Sequence, residues 1–304
     1  MVWFKNALIY PVTESQSWQW SEIEQQMEAH LYSPCSSQQQ VSMGWVPAIP
    51  DTQNLIHVNG TNALMCLQRQ ERLLPSTVVN EVLGEKVALI QANEDRRVGS
   101  KEKANLKDEV IFELLPKAFV RTTRHYLYIN SQDQVVVVNA ASEKRGDEIT
   151  SFLRETLGSL PISLLSSECQ PSAVLTHWLA NPEQAPEQLS FQPEVELTRS
   201  DNDDVKVRVK NLDLDGDELK MHLDQNGVVQ QLAFEWQEKI QAVINAKSQI
   251  KRIKFSDLLA EQALNDSGDD KVSQFDASFM FMASELSQLI QQLRDWFSIR
   301  TEAQ

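Results

Sequence analysis

The stretch DLDGDE, residues 213–218, places three aspartates at alternate positions. Carboxylates spaced in this way can supply the oxygen ligands that Ca²⁺ and Mg²⁺ prefer. An EF-hand calcium loop needs glycine at its sixth position and glutamate at its twelfth, whereas here Gly216 is fourth and Asp224 is twelfth. We therefore expect a turn that leads into a short helix, with Asp217 near the positive end of the helix dipole. The alternative is a metal-dependent nuclease that uses Asp213, Asp215 and Asp217.

Motifs of the common enzyme classes are absent from the chain. GxxxxGK[ST], HExxH, paired CxxC and GxSxG do not occur, and only 9 of 304 residues are glycine, which disfavours a glycine-rich nucleotide loop. The three cysteines, Cys35, Cys66 and Cys169, are far apart and odd in number, which is typical of reduced, buried thiols. The sequence therefore shows no motif of these common enzyme classes, and we expect no cofactor and no resident metal.

Basic residues are concentrated in three stretches of an otherwise acidic chain. The totals are 28 Lys+Arg against 43 Asp+Glu, which gives a net charge of −15. Residues 96–124 nevertheless hold eight basic and four acidic residues, and residues 239–254 hold five basic residues and no acidic one. Between them, Lys206, Arg208 and Lys210 alternate with valines, so a strand would place all three on one face.

The first stretch is predicted to lie on a helix. Lys103, Lys107, Val110 and Leu114 share one helical face, which is apolar near one end and basic near the other. We expect the basic end to leave the core and to meet a negatively charged partner such as phosphate backbone. No pair of short helices presents base-reading side chains as in a helix–turn–helix domain, so we expect binding without sequence preference.

The predicted DNA contacts are drawn from all three stretches. They are Arg96, Arg97, Lys101, Lys103, Lys107, Lys117, Arg121, Lys206, Arg208, Lys210, Lys247, Lys251, Arg252 and Lys254.

Strands and helices alternate without a regular βαβ rhythm, which predicts an α+β fold. We expect strands at 2–10, near 64–67, at 124–129, 134–139, 205–210, 228–235, 238–244 and 250–255. Helices are expected at 17–31, 142–157 and 272–297, with a protruding helical hairpin at 76–115 in which Ser100 caps the second helix. The segment 181–204 is rich in Pro, Gln, Glu and Asp and is predicted to be a linker.

These elements suggest five parts along the chain. They are an N-terminal α+β part (1–75), a helical hairpin with a basic tip (76–118), central strands and a helix (119–180), an acidic linker with a β-rich part (181–271), and a C-terminal helix with a tail (272–304). The N-terminal residues do not read as a signal peptide, and no stretch of about 18 apolar residues predicts a membrane span. We expect a cytoplasmic protein.

Several stretches, in their order and spacing, resemble the RdgC family of bacterial recombination-associated DNA-binding proteins over about residues 1–297. They are WFKN (3–6), MGWVP (43–47), LKDEV (106–110), LLPKAF (114–119), LGSLP (157–161), LTHW (175–178), AFEWQEKIQ (233–241), KRIKF (251–255) and FDASFMFMASEL (275–286). The resemblance implies a non-enzymatic protein that binds duplex DNA without sequence preference. It also implies that two curved subunits close into a ring-shaped homodimer with a basic hole and an acidic exterior.

The resemblance further implies a role in limiting the RecA recombinase and in replication-fork repair, and a location at the nucleoid. Phe119, in LLPKAF, matches the aromatic residue that closes one ring contact by entering a pocket on the partner. Lys210 and Asn211 lie near the other polar contact residues of the family, although 194–218 is the least family-like part of the chain. From the residues alone, Phe119 could equally be an ordinary core side chain. A further alternative is an acidic adaptor that binds RecA directly.

Overall fold

The structure is a computed structural model that describes residues 1–165, 167, 169–199, 202–211 and 216–299. For 202–204 and 217–218 the description covers the backbone alone. The described residues divide into two compact units. The first unit comprises Met1–Gln26, Pro47–Met65 and Tyr126–Gln304, and the second comprises Met27–Val46 and Cys66–His125.

The described residues combine α-helices with antiparallel strands, as the α+β prediction requires. The strands are β1 Asn6–Pro11, β2 Val41–Val46, β3 Ile56–Asn59, β4 Asn62–Leu73, β5 Phe119–Asn130, β6 Val135–Val138, β7 Leu189–Arg199, β8 Asn202–Lys210, β9 Gly227–Trp236, β10 Ile240–Asn245 and β11 Ile250–Phe255. The α-helices are α1 Trp20–Glu28, α2 Ser76–Glu94, α3 Ser100–Leu114, α4 Glu143–Leu157, α5 Pro171–Ala180, α6 Asp217–Asp224, α7 Asp257–Asn265 and α8 Lys271–Trp296. No helix among the described residues combines the length and the hydropathy needed to cross a membrane.

The first unit is built on an antiparallel sheet with the strand order β5–β6–β1–β11–β10–β9–β7–β8. One face of this sheet is apolar because alternate residues, such as Val195 and Leu197 on β7, point into the core. Helix α8 covers that core with a stripe that includes Phe279, Met282 and Leu286, each fully buried. The other face of β7 and β8 carries polar and charged side chains, among them Lys206, Arg208 and Lys210.

The second unit contains β2, the later part of β4 and the early part of β5, with α2 and α3. Helices α2 and α3 are connected by residues 95–99 and are linked by an ion pair between Lys86 Nζ and Glu113 Oε1, 2.7 Å apart. Val79 and Leu83 on α2 and Val110 on α3 are buried, so these helices hold the unit together through a few apolar side chains.

Some predicted elements differ from those observed. The predicted linker at 181–204 contains β7, in which the inward-facing Val195 and Leu197 alternate with Glu194 and Glu196. The alternation was overlooked because the outward-facing acidic residues dominate the overall composition of the segment. Helices α5 and α7 were not predicted, and Gly99 rather than Ser100 is the N-cap of α3.

Candidate nucleic-acid interface

Helix α3 carries lysines that have no acidic partner among the described residues. Lys101, Lys103 and Lys107 are exposed, and none forms an ion pair with a described carboxylate. Lys103 and Lys107 lie on the same helical face as Val110, which is buried. This face is therefore exposed to solvent near the start of the helix and packed in the core near its end. Arg97, which precedes α3, and Lys117, which follows it, are likewise exposed without such a partner. We call these five residues the free cations.

The two remaining arginines predicted in this stretch are already paired. Arg96 binds both carboxylate oxygens of Glu102, each at 2.7 Å, and reaches Glu94 at 2.5 Å. The hydrogen bonds that Arg96 donates to Glu102, with a smaller effect from those to Glu94, raise the pKa of the Arg96 guanidinium further above its ordinary value. Arg121 binds Glu71, which Arg69 also binds. These carboxylates reduce the positive charge that Arg96 and Arg121 offer to a partner.

Phe119 is the most exposed large apolar residue among those described. It begins β5, two residues after Lys117, and 84% of its surface is accessible to solvent. The neighbouring Val120 is also exposed. Within a single chain, Phe119 is therefore not a core side chain, which excludes the core interpretation of this residue.

In the first unit, β8 presents its cations directly opposite the acids of β7. Arg208 lies across from Glu196, and Lys210 lies across from Glu194. Arg208 Nε is 3.1 Å from Glu196 Oε2, and the Lys210 ammonium is 3.4 Å from Glu194. Opposite charges directly across an antiparallel pair attract. Lys206, across from Thr198, has no acidic partner among the described side chains.

Strand β11 adds a third set of cations. Arg252 reaches the same Glu194 carboxylate at 3.0 Å, so Glu194 bridges two strands that are not neighbours in the sheet. Burial tends to raise the pKa of Glu194, but the hydrogen bond and charge of Arg252, together with Lys210, hold it below the usual range. Lys254 is exposed without a described acidic partner, and Lys251 is half-buried. Asn211, which follows β8, is held by its amide hydrogen bond to the Pro193 carbonyl.

The turn between β10 and β11 presents Lys247. Its ammonium lies 2.7 Å from Glu143 Oε1, at the start of α4, and lowers the pKa of that carboxyl. The seven basic residues Lys206, Arg208, Lys210, Lys247, Lys251, Arg252 and Lys254 are called the sheet cations. Four of them, Arg208, Lys210, Lys247 and Arg252, are paired with glutamate.

The carboxylates that pair with the sheet cations were not among the predicted site residues. Glu194 and Glu196 could have been found from the sequence, because they alternate with apolar residues in the same way as the cations of β8. The pairing of Glu143 with Lys247 leaves no comparable signal, since 104 positions separate the two residues.

The predicted acidic cluster cannot be assembled from the described residues. Asp213 and Asp215 lie outside them, and only the backbone of Asp217 is described, at the start of α6. No group of three or more His, Cys, Asp or Glu side chains in the described part of the chain could hold a metal ion.

Comparison with known proteins supports the family resemblance. Residues 2–300 match the family described as "Putative exonuclease, RdgC". The chain is 38% identical to the recombination-associated protein RdgC of Pseudomonas putida GB-1 over 291 residues, 95% of each chain. It is 36% identical to the recombination-associated protein RdgC of Yersinia enterocolitica over 294 residues, and to that of Proteus mirabilis over 296 residues, in each case 96% of this chain and 97% of the relative.

Proposed function

The chain belongs to the RdgC family, and from that premise we propose that it binds double-stranded DNA without sequence preference as a ring-shaped homodimer. In this proposal it restrains recombination by occupying DNA that RecA would otherwise use, and it acts at replication forks in the nucleoid. The protein is then a binding protein and not an enzyme. A recombination role is what the names of the relatives state, and the remainder is proposed here.

One observation carries the DNA-binding proposal: the free cations remain exposed and unpaired, among the described residues, in a chain of net charge −15. Exposed lysines repel one another, and a strongly acidic chain offers many carboxylates with which they could pair. A phosphate backbone supplies negative charge at a regular spacing and releases condensed counterions when lysine replaces them. We place the DNA contacts at the free cations first, with α2 and α3 forming a protruding hairpin.

The homodimer proposal rests on Phe119. Leaving a phenylalanine 84% exposed is unfavourable unless a partner covers it, and interface anchors are commonly aromatic. We propose that Phe119 enters a pocket of the second subunit, with Lys210 and Asn211 at a polar contact. Enclosure of the duplex would also reduce the repulsion between DNA and a chain of net charge −15. A closed ring holds DNA near basic side chains while the acidic surface lies away from it.

The decisive experiment compares how long the protein stays on closed circular DNA and on short linear duplex of equal sequence after a jump to high salt. A closed ring leaves linear DNA by sliding off an end but must open to leave a circle, so the half-life on the circle should be longer. Phe119→Ser should abolish the difference, because it weakens the contact by about 2 kcal/mol or more. Phe112→Ser is the matched control, since Phe112 is also an exposed phenylalanine, on α3. Equal half-lives for the unmodified protein would leave an open basic surface in place of a ring.

The family description favours a second candidate function, a nuclease. Its catalytic residues would be the predicted Asp213, Asp215 and Asp217. Incubation of plasmid DNA with the protein and Mg²⁺ separates the two functions, and we expect the plasmid to stay intact. Cleavage that disappears in Asp215→Asn would establish the nuclease. The acidic-adaptor alternative predicts no gel shift of duplex DNA at low salt, whereas the DNA-binding proposal predicts a clear one.

A further inference from the structure

A polar cavity of about 360 Å³ opens on the solvent-facing side of the first unit's sheet. Its described lining consists of two lysines, three side-chain amides, a threonine, a glutamate and Ala246. Small-molecule sites are usually lined by apolar and aromatic side chains, which this lining lacks. The cavity is therefore unsuited to an apolar ligand, and its amides and ammonium groups favour a ligand that accepts hydrogen bonds.

A β-bulge gives the cavity two adjacent glutamines. Across β7 and β9, Glu196 pairs with Gln231 but Leu197 pairs with Val229, so Gln230 is an extra residue on β9. Consecutive residues of a regular strand point to opposite faces, and the bulge lets both glutamines line the same cavity. Gln230 is occupied, because its amide donates to Thr198 Oγ1 at 3.0 Å. The Gln231 side chain has no hydrogen-bond partner among the described residues.

Lys206 and Lys247 supply the charge of the cavity from two different elements. Lys206 has no acidic partner among the described side chains. Lys247 is held in a fixed turn, because Asn245 Oδ1 accepts the backbone amides of Lys247 and Gln249 at 3.0 and 2.9 Å. Its side chain is 67% exposed and is paired with Glu143, whose Oε1 also accepts from Gln249.

Glu196, the one carboxylate in the described lining, does not cancel these charges. Glu196 is nearly buried, and Arg208 on the neighbouring strand binds its Oε2 atom. Because Arg208 matches Glu196 and Glu143 matches Lys247, the charge of Lys206 gives the described lining a positive balance. An anion is therefore the favoured ligand, and a metal cation is not.

We propose that this cavity is a phosphate-binding subsite, in which Lys206 and Lys247 contact the phosphate oxygens and the Gln231 amide donates a hydrogen bond. Binding draws Lys247 away from Glu143, which remains satisfied by Gln249. The phosphate belongs either to the DNA backbone, in which case the subsite rests on the proposed function, or to free phosphate. No aromatic side chain in the described lining could stack on a base, so the phosphate group itself is the recognised chemistry.

The test uses the full chain and two probes, inorganic phosphate measured by calorimetry at constant ionic strength and duplex DNA measured by anisotropy across a salt series. We expect Lys206→Gln and Lys247→Gln to abolish phosphate binding and to lower the slope of log K against log salt for DNA by about one each. Lys271→Gln, at an exposed lysine on α8, is the matched control and should change neither. Unchanged thermal unfolding confirms that each variant folds.

A variant that increases the affinity for phosphate gives a more specific test than one that abolishes binding. Glu143→Gln keeps a side chain that can hydrogen-bond but removes the charge that competes for Lys247, so phosphate should bind about two- to fivefold more tightly. Glu155→Gln, at an exposed position of the same helix, is the control and should have no effect.

The outcomes separate the two sources. Loss of phosphate binding together with a DNA defect, or a DNA defect confined to the cavity variants, supports a backbone phosphate. Loss of phosphate binding with unchanged DNA binding supports free phosphate. No phosphate binding, together with DNA effects no larger than those of Lys271→Gln, overturns the subsite. If the unmodified protein binds no DNA at all, the proposed function fails and the phosphate titration still decides the subsite.

Discussion

The free cations of the second unit and the sheet cations of the first show how the same residue types acquire different charge environments. On α3, the positions three and four residues from Lys101, Lys103 and Lys107 are occupied by no acidic residue, so the helix gives them no local partner. On β8, Arg208 and Lys210 each face a glutamate of β7 directly. The helix therefore exposes charge, while the sheet compensates most of it. If both regions meet DNA, we expect the helix to dominate the binding free energy.

The largest effect should come from removing lysines of α3. At 0.1 M salt, Lys103→Gln combined with Lys107→Gln should weaken binding to every duplex by roughly tenfold for each phosphate that is no longer neutralised, about 100-fold in all. Arg208→Gln should weaken binding less than about tenfold, because a phosphate must first compete with Glu196 for that arginine. Anisotropy titrations over a salt series measure both. An equal reduction for the two variants would end the distinction between the regions.

Removing the carboxylate of Glu194 should leave cations of the sheet without acidic partners, as the lysines of α3 are among the described residues. Glu194→Gln leaves Lys210 and Arg252 without their acidic partner, so DNA affinity at low salt should rise up to about tenfold, as for one additional phosphate contact. Glu187→Gln removes an exposed charge nearby in sequence and serves as the control. A rise of equal size in both variants would attribute the increase to net charge alone.

A smaller increase should follow when the exposed pair before α3 is broken. Glu102→Gln removes the charge that competes with phosphate for Arg96, and because fully exposed ion pairs are weak, DNA affinity should rise only about two- to fivefold. The same titration checks it, with Glu109→Gln, on the same helix, as the comparison. Unchanged affinity for Glu102→Gln would indicate that Arg96 lies away from the DNA.

The smallest effect concerns the stability of the fold at low pH, to which a glutamate in each unit contributes. Hydrogen bonds from Arg69, and from Arg121, lower the pKa of Glu71 below its usual 4.5. The pKa of Glu194, in the first unit, also lies below its usual range. A lowered pKa stabilises the fold above the unfolded-state value, and that stability is lost as the pH falls through the folded-state value. Denaturant titrations between about pH 6 and pH 3 should show a steeper decline for the unmodified protein than for Glu71→Gln or Glu194→Gln. Identical declines would contradict these assignments.

Much of the architecture was predictable because the burial pattern is local. The run of four valines in β6, the stripe of α8 and the glycine at 158 that ends α4 with positive φ all depend on residues close in sequence. The linker prediction was wrong at β7 because its inward valine and leucine alternate with glutamates. Helix α5 was missed because its ten residues are apolar on most sides and show little periodicity, and α7 was missed because it has only nine residues.

The sequence by itself determined which cations lack a local partner. On a helix, the neighbours of a side chain lie three and four positions away, so the absence of acids around Lys103 and Lys107 could be read directly. It also determined that β8 presents its cations on one face, since alternation along a strand is fixed by the pleat.

Only the tertiary structure decided which cations are compensated and where a cavity forms. Glu143 meets Lys247, and Glu194 meets Arg252, because strand order and register bring together residues that are far apart in the chain. The exposure of Phe119 was likewise undecided, since a phenylalanine after a helix end can turn inward or outward. Electrostatic pairing depends on the distance between two charges in space, and that distance is set only once the strands have paired in their final register.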